Sequence, residues 1–253
     1  MIRGIHHVGI VVERVKDAYA FYRDVLGLPL VREAEIADQG VRAALLAAGD
    51  SEIELLEPTG PDTPVGRFLA KRGEGLHHLC FEVADVGAAL GDLHARGVRL
   101  LDSTPRAGLA GCIGFLHPSA CSGVLVELAT PPGPSPEERA SPLRLKRLVI
   151  GAEDVRVAAG AFQSLFGFAE VAMNGGPRVM LAVGRGSLLV VPVHEVGGTA
   201  GMVALSFVAE DFFALTAALR GANTPRLDGT GEVTVEPAGS HGVHLHISRY
   251  TFP

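Results

Sequence analysis

The sequence has few cysteines, and their arrangement excludes a disulfide scaffold. Cys80, Cys112 and Cys121 are an odd number of thiols and form no CxxC pair. Small secreted domains that depend on disulfides carry an even set of cysteines at close spacing. We therefore expect reduced thiols and a cytoplasmic protein.

Long apolar runs and an excess of positive charge are also missing. No stretch approaches the roughly 18 apolar residues of a membrane-spanning helix, and residues 1–15 lack the order of a secretion signal. The 22 basic residues against 28 acidic ones give a net charge of -6. Proteins that bind nucleic acid non-specifically carry a positive field toward phosphate. Neither a nucleic acid nor a membrane is expected as a partner.

A proline-rich stretch divides the chain. The sequence PPGPSPEERASP, residues 131–142, contains five prolines and no apolar period, which is typical of an exposed connector. We predict one domain at residues 1–132, a linker at 133–142 and a second domain at 143–253.

Two stretches of the first domain share one order of elements: an alternating strand, a helical pattern that ends at a glycine, and further strands. In the first stretch these elements are predicted at residues 5–12, 15–27, 41–47 and 52–56. In the second stretch they are predicted at residues 76–83, 86–97, 113–116 and 124–128. Each stretch is interpreted as one βαβββ module in which two of the three later strands are located, and pairing two modules covers the open face of the sheet.

A weaker copy of this pattern follows the linker. In LVIGAEDVRVAAGAFQSLFGF, Phe162 and Gly167 each lie 140 positions after Tyr22 and Gly27, and MVALSFVAEDFFALTAALRGA matches the second strand and helix. The sequence therefore predicts an α+β fold with four βαβββ modules in two domains.

Two predicted strands begin with adjacent histidines, in IHHVGIVV and GLHHLCFEV. Successive side chains of a strand point to opposite faces, so only one histidine of each pair shares the apolar row. His6 and His77 align with the apolar residues that follow them. His7 and His78 therefore take the face opposite the core.

The same alternation selects two carboxylates, Glu54 in SEIELL and Glu127 in GVLVEL. Glu52 shares the face of Glu54 and is interpreted as a carboxylate that faces water. Two imidazoles and two carboxylates from four strands form a mixed nitrogen and oxygen donor set for a divalent ion. The sequence predicts a metal site at His7, Glu54, His78 and Glu127, with cobalt, manganese, iron, nickel and zinc all open.

These motifs, together with AFYRDVLGL, QGV, EIELLEPTGPDTPVGRFLAKRGEGLHHLCFEV and GFLHPSACSGVLVEL, resemble the methylmalonyl-CoA epimerases of the vicinal-oxygen-chelate (glyoxalase) superfamily. The resemblance covers residues 1–132, about half of the chain. It implies paired βαβββ modules around a metal, and it places the family's ligands on the four residues that the strand faces select. His6 and His77 are then core residues or support the ligands.

The resemblance also implies a reaction and a substrate class. A carboxylate removes the proton between the thioester and the carboxylate of a methylmalonyl-CoA-type substrate, and a Lewis-acidic metal stabilises the enolate. Glu127 is interpreted as one base that is also a ligand. An acyl-CoA thioester is the expected partner, and the protein is expected to be a monomer with pseudo-dimeric domain pairing or a homodimer.

One departure from the family's pattern concerns the second acid or base. Some relatives carry glutamate where this chain has Ala43, and others are apolar there. The candidates for the second proton carrier are a metal-bound water, Glu35, Asp38 and Gln39.

Two other departures concern the substrate. Ala110 in GLAG replaces a common histidine, and Ser119 in HPS replaces a usual lysine, which weakens the assignment of the acyl group. Lys71, Arg72 and Arg106 have two interpretations. They supply positive charge for a phosphate-rich ligand, or they are ordinary charged residues of a solvated surface.

The second half keeps one possible metal ligand. Alignment with the first half places His246 at the position of Glu127. The positions of His7, Glu54 and His78 are taken by residues that do not serve as metal ligands here, namely Arg147, Val190 and Ala204. A metal site at His241, His244 and His246 is an alternative, but His244 and His246 lie on one strand and lack ligands from its neighbours, which disfavours it. We predict a degenerate, metal-free domain that acts as a scaffold, with an anion pocket at Arg147 as the alternative.

Three other functions stay open on the same scaffold. A glyoxalase I-like isomerase (lactoylglutathione lyase) would use the same metal. An iron dioxygenase uses two histidines, one carboxylate and open positions, so Glu54 as a fourth ligand disfavours it. A small-molecule binding protein needs no Lewis acid, so the presence of both histidines and Glu127 disfavours it.

Overall fold

A computed structural model of the chain describes residues 2–132 and 140–249. The elements of the first half are β1 (Ile2–Val11), α1 (Val15–Tyr19), β2 (Leu30–Ile36), β3 (Val41–Ala48), β4 (Ser51–Pro58), α2 (Pro64–Arg72), β5 (Gly75–Val83), α3 (Val86–Ala95), β6 (Arg106–Gly108), β7 (Gly111–Leu116) and β8 (Val126–Thr130). Those of the second half are β9 (Leu143–Ala152), α4 (Val155–Phe166), β10 (Glu170–Val171), β11 (Val179–Val183), β12 (Gly186–Pro192), β13 (Gly201–Ala209), α5 (Phe212–Gly221), β14 (Arg226–Asp228), β15 (Glu232–Val235) and β16 (His244–Ser248). Residues 133–139 of the predicted linker lie outside the described residues.

The strands form two eight-stranded sheets with the same order. The first sheet runs β2-β3-β4-β1-β5-β8-β7-β6, and the second runs β10-β11-β12-β9-β13-β16-β15-β14. Each module contributes four neighbouring strands, and the first strands of two modules meet at the centre of each sheet. The prediction of four βαβββ modules in two glyoxalase-like sheets is confirmed.

Three helices begin at the same local signal, an aspartate at the N-cap. The side chains of Asp85, Asp154 and Asp211 each accept a hydrogen bond from the backbone N–H three residues further on. This bond satisfies one of the N–H groups that a helix leaves open at its start. Repetition of the cap in both halves agrees with the repeated modules.

The helix predicted after β1 is shorter than its sequence pattern indicates. α1 ends at Tyr19 and continues as a π-helical turn, Ala20–Val25, which holds the buried Phe21 and Tyr22. Gly27 follows with φ +73°, the left-handed conformation that glycine adopts at low cost.

β4 is covered on both of its faces, and every residue from 51 to 56 is buried. Glu52 retains 5% of its accessible surface. The prediction that Glu52 faces water is therefore wrong, because alternation separates the two faces of a strand without showing whether either face meets solvent.

By their contacts, the described residues form two compact units. One contains residues 2–7, 78–132 and 147–203, and the other contains residues 8–77, 140–146 and 204–249. Each unit thus combines a stretch from the first half of the chain with a stretch from the second half.

Side chains bind the two halves together inside each unit. In the second unit the Tyr22 hydroxyl donates to the carbonyl oxygen of Ser240 at 2.9 Å, and both residues are buried. In the first unit the Arg96 guanidinium donates to the carbonyl oxygens of Ser164 and Leu165, at 2.6 and 3.2 Å. These carbonyls belong to the last turn of α4, where helix carbonyls lack partners of their own.

Among the helices of residues 2–132 and 140–249, none combines the length and apolar character needed to cross a bilayer.

Candidate metal centre

Three strands of the first sheet bring two imidazoles and a carboxylate together. His7 comes from β1, His78 from β5 and Glu127 from β8, and they retain 0%, 2% and 3% of their accessible surface. Cys80 and Glu127 are directly opposite each other in the parallel β5–β8 pair. Because His78 lies two residues before Cys80, it shares the face on which Glu127 lies.

The donor atoms of these three residues are closely spaced. The Nε2 atoms of His7 and His78 are 2.9 Å apart, and Glu127 Oε2 lies 3.0 Å from His78 Nε2 and 3.4 Å from His7 Nε2. Nitrogen and oxygen ligands bond to divalent ions at roughly 2.0–2.2 Å, so two ligands at right angles to each other are roughly 3 Å apart. The observed spacing is that of neighbouring ligands of one ion.

Glu54 of β4 completes a group of four. One ligand atom each from His7, Glu54, His78 and Glu127 lies within 4.8 Å of the other three, and Glu54 is also buried, with 6% of its surface exposed. The structure thus brings together all four residues that the sequence selects. Two imidazoles and two carboxylates, shielded from water, are donors that suit a borderline or hard divalent ion.

The electrostatics of the group keep Glu127 ionised. Burial by itself would raise the pKa of Glu127, but attraction to His7 and hydrogen bonds with His7 and His78 outweigh that effect and lower the pKa to about 2. Glu127 is therefore a carboxylate at neutral pH, as a metal ligand must be.

The two adjacent histidines, His6 and His77, have different surroundings. His6 Nδ1 lies 2.8 Å from His7 Nδ1, and His6 is buried. The ring of His77 packs edge-on against Phe68, with 4.9 Å between the ring centroids. Only the first of these two contacts reaches a residue of the four-donor group through polar atoms.

Cys80 also lies beside these histidines, although it is not among the predicted ligands. Its thiol is fully buried and lies within 4.8 Å of ring nitrogens of both His6 and His7. The available signal was its place two residues after His78, on the same face of the strand.

The predicted candidates for a second acid or base lie outside the four-donor group. Ala43 is buried in β3, whereas Glu35 and Asp38 are exposed and Gln39 is half-buried. The carboxylate of Glu35 lies 3.4 Å from the guanidinium of Arg42.

Of the three basic residues selected for a phosphate-rich ligand, Arg106 is connected to the group. Its guanidinium lies 5.4 Å from the centroid of the Phe115 ring, and that ring contacts the His78 ring edge-on at 5.5 Å. Asp102 accepts a hydrogen bond from Arg106 at 3.3 Å. Lys71 and Arg72 are exposed at the end of α2.

The register of the second sheet corrects one of the aligned positions. Arg147 pairs with Ser187 and Val149 pairs with Leu189, so Leu189 shares the face of Arg147. Val190 points to the other face, and its assignment as the counterpart of Glu54 is wrong by one residue. Leucine, like valine, offers no metal ligand.

The other counterparts keep the register of the first sheet. Ser206 pairs with His246 as Cys80 pairs with Glu127. Thr234 Oγ1 lies 3.0 Å from His246 Nδ1. Burial, followed by repulsion from His244, lowers the pKa of His246.

Arg147 stands where the first sheet has His7. It is partly buried, and its Nε donates to Ser187 Oγ at 3.3 Å. Burial lowers the pKa of Arg147.

Comparison with known proteins places the chain in a family. The Glyoxalase/Bleomycin resistance protein/Dioxygenase superfamily matches residues 6–115. The mitochondrial methylmalonyl-CoA epimerase of Bos taurus is 38% identical over 126 residues, which are 49% of this chain and 72% of that protein. A solved methylmalonyl-CoA epimerase in complex with methylmalonyl-CoA and NH4+ is 42% identical, with a TM-score of 0.52 over 54% of this chain and all of that chain.

A further solved structure matches along the whole chain. A mutant of 4-hydroxymandelate synthase from Streptomyces coelicolor has a TM-score of 0.72, covering 100% of this chain and 95% of that chain, at 16% identity. This similarity concerns the fold alone and confirms the arrangement of two glyoxalase-like sheets. The chain belongs to the Glyoxalase/Bleomycin resistance protein/Dioxygenase superfamily, in which its first half groups with the methylmalonyl-CoA epimerases.

Proposed function

We propose that the protein is an isomerase, a metal-dependent epimerase of a methylmalonyl-CoA-type thioester, and that residues 1–132 form its catalytic domain. The observation that carries this proposal is the buried group of two histidines and two glutamates in the half that resembles the epimerases. Chemistry at a carbon between two carbonyl groups requires both a base and a means of stabilising negative charge on oxygen.

The residues that would hold a divalent ion are His7, Glu54, His78 and Glu127. When bound, the ion supplies a Lewis acid that stabilises negative charge on the oxygens of the substrate. Their mixed nitrogen and oxygen donors admit cobalt, manganese, iron, nickel or zinc.

Glu127 is the proposed base. Because its pKa is about 2, it is ionised at neutral pH and ready to accept a proton, but it is a weak base. Proton transfer from carbon to so weak a base becomes favourable only where the negative charge that develops on the substrate is stabilised at the same time. The position of Glu127, within the group that would hold the ion, meets that requirement.

Water is excluded from the reacting groups by the surrounding strands. His7, His78 and Glu127 are each at least 97% buried, so a carbanion formed beside them is shielded from bulk solvent. Arg106, which connects to His78 through Phe115, supplies positive charge suited to the anionic groups of an acyl-CoA.

For the second half, residues 143–253, we propose a degenerate glyoxalase-like domain that acts as a scaffold. The support comes from contacts such as Tyr22 with Ser240, which bury polar groups of the first half against the second half. Such contacts fit a monomer in which the two halves pair as two subunits would.

The proposed activity is tested with one resolved epimer of methylmalonyl-CoA in D2O. Protein loaded with cobalt, manganese, nickel or zinc should exchange the α-proton for deuterium while stereochemical purity is lost. If no exchange and no inversion occurred with any of these ions, the epimerase proposal would be rejected. The matched control is Glu127→Gln, which keeps the shape of the side chain and removes the base.

A further inference from the structure

His6 contacts a proposed metal ligand through a polar atom, although it is not one of the four donors. It precedes His7 in β1, and the Nδ1 atoms of the two rings lie 2.8 Å apart. The rings are nearly perpendicular, at 83°, and both residues are buried. At this distance the two Nδ1 atoms share one proton, so one ring donates and the other accepts.

The opposite nitrogen of His7 decides which ring donates. His7 Nε2 is the atom that approaches His78 Nε2 at 2.9 Å and Glu127 Oε2 at 3.4 Å. To bind a metal through Nε2, His7 must present a lone pair on that atom, so in the metal-bound site its ring proton would be on Nδ1. Nδ1 of His7 therefore donates, and Nδ1 of His6 accepts and carries no proton.

A second ion held by His6, His7 and Cys80 is the competing explanation of the short contact. These three residues also offer ligand atoms within 4.8 Å of one another. Such an ion would need a lone pair on Nδ1 of His7 while the first ion uses Nε2. A neutral imidazole has one lone pair for coordination, so His7 would have to lose both ring protons. A single hydrogen bond between His6 and His7 requires no such step.

We propose that His6 is a positioning residue that fixes the tautomer and the ring orientation of His7 for metal binding. This proposal rests on the metal centre described under the proposed function. Hydrogen-bond partners of metal-bound histidines typically contribute about 10- to 100-fold to metal affinity. His6 takes this role through a neutral ring with its proton on Nε2.

The test compares two substitutions of His6 in the full chain. In His6→Asn the side-chain oxygen can occupy the place of Nδ1 and still accept the bond from His7, whereas His6→Leu removes the acceptor. We expect His6→Leu to weaken Co²⁺ binding about 10- to 100-fold in a chelator competition, and His6→Asn to stay within about threefold of the wild type. His94→Leu, at an exposed histidine of α3, is the control for the loss of an imidazole.

A second measurement does not depend on how the variants fold. Nitrogen-15 NMR of the zinc-loaded wild type should show His6 with its proton on Nε2 and His7 with its proton on Nδ1. A proton on Nδ1 of His6, or equal Co²⁺ affinity of folded His6→Leu and wild type, would overturn the proposal. So would a second cobalt per chain with a thiolate-to-cobalt absorption band that Cys80→Ser abolishes.

The outcome also separates this inference from the function on which it rests. A wild-type protein that binds no divalent ion would reject the metal centre and the role of His6 together. A wild type that binds one ion, with His6→Leu unchanged, would reject the role of His6 and leave the metal centre intact.

Discussion

His7 and His78 are 71 residues apart in the sequence, and their Nε2 atoms are 2.9 Å apart in the folded chain. Both rings are buried, and Glu127 is within 3.4 Å of each of these nitrogens. Two buried imidazoles beside a carboxylate are nitrogen and oxygen donors of the kind that suits a divalent cation.

Removal of one imidazole is expected to weaken metal binding. His78→Ala should lower the affinity for Co²⁺ by more than about tenfold, because one of four donors is lost and the group is preformed by buried strands. The measurement is metal content after dialysis against a weak chelator. His117→Ala, at a histidine that contacts Ser119 outside the group, is the control. Equal metal content in His78→Ala and wild type would contradict the proposed ligand set.

The two carboxylates of the group are expected to differ in function. Glu127→Gln should lower the rate of α-proton exchange by about 100- to 10,000-fold, the usual range for loss of a general base. Glu54→Gln keeps a carbonyl oxygen as ligand and should keep the rate within about tenfold. The readout is deuterium exchange measured at saturating metal. An equal loss in both variants would argue that Glu127 acts as a ligand alone.

The bond between Tyr22 and Ser240 is expected to contribute to stability. Tyr22→Phe leaves the buried carbonyl oxygen of Ser240 without this donor, which should cost about 1–3 kcal/mol in free energy of unfolding. In the control, Tyr19→Phe, the lost bond goes to the exposed Glu33, and a loss below about 1 kcal/mol is expected. Urea unfolding of both variants checks the difference. A larger loss in Tyr19→Phe would refute it.

Two glycines of the second half should respond oppositely to alanine. At Gly151 a Cβ would lie 2.0 Å from the carbonyl oxygen of Thr199, so Gly151→Ala should cost about 1–3 kcal/mol through overpacking. At Gly160 in α4 a Cβ meets no atom within 4 Å. Gly160→Ala should therefore stabilise the protein by about 0.5–1 kcal/mol. Thermal unfolding of the two variants should show shifts of opposite sign.

Expression of residues 1–132 alone should yield a chain that binds metal and self-associates. The first half would lose the bond from Tyr22 to Ser240 and the contact of Glu74 with His241 Nδ1 at 2.9 Å. Surfaces normally covered by the second half would then face water. Size-exclusion chromatography measures the association. A monomer with unaltered stability would count against the scaffold role.

Alternation along the strands is sufficient to select four residues whose ligand atoms lie together in the structure, His7, His78, Glu54 and Glu127, because the period of a strand assigns each residue to one face. It was not sufficient for Glu52. Its burial depends on what covers the second face of β4, and that is a property of other parts of the chain.

The register error at Val190 has a related cause. SLLVVP is apolar at five successive positions, so a shift of one residue leaves its hydrophobic pattern unchanged. The register became visible only through the pairing of β12 with β9. α2 is absent from the predicted elements, although the sequence contains its signal: Thr63 caps the helix by accepting a hydrogen bond from the Gly66 N–H, and Pro64 follows it.

The short contact of His6 with His7 could not have been read from the sequence. Adjacent residues on a strand point to opposite faces, and a ring nitrogen contact between them depends on side-chain torsions. The sequence pattern assigns His6 and His7 to opposite faces of the strand, whereas the side-chain geometry brings their Nδ1 atoms into contact.

One compact unit draws on residues 8–77 and on residues 204–249, which lie near opposite ends of the chain. During translation residues 8–77 leave the ribosome long before the last strand is made. Tyr22 is therefore without its partner Ser240 for most of translation. During that interval the apolar strands of residues 8–77 lack the segment that completes their unit in the folded chain. The yield of active protein should therefore vary with the speed of translation and the chaperone supply of the host, even when the finished fold is stable.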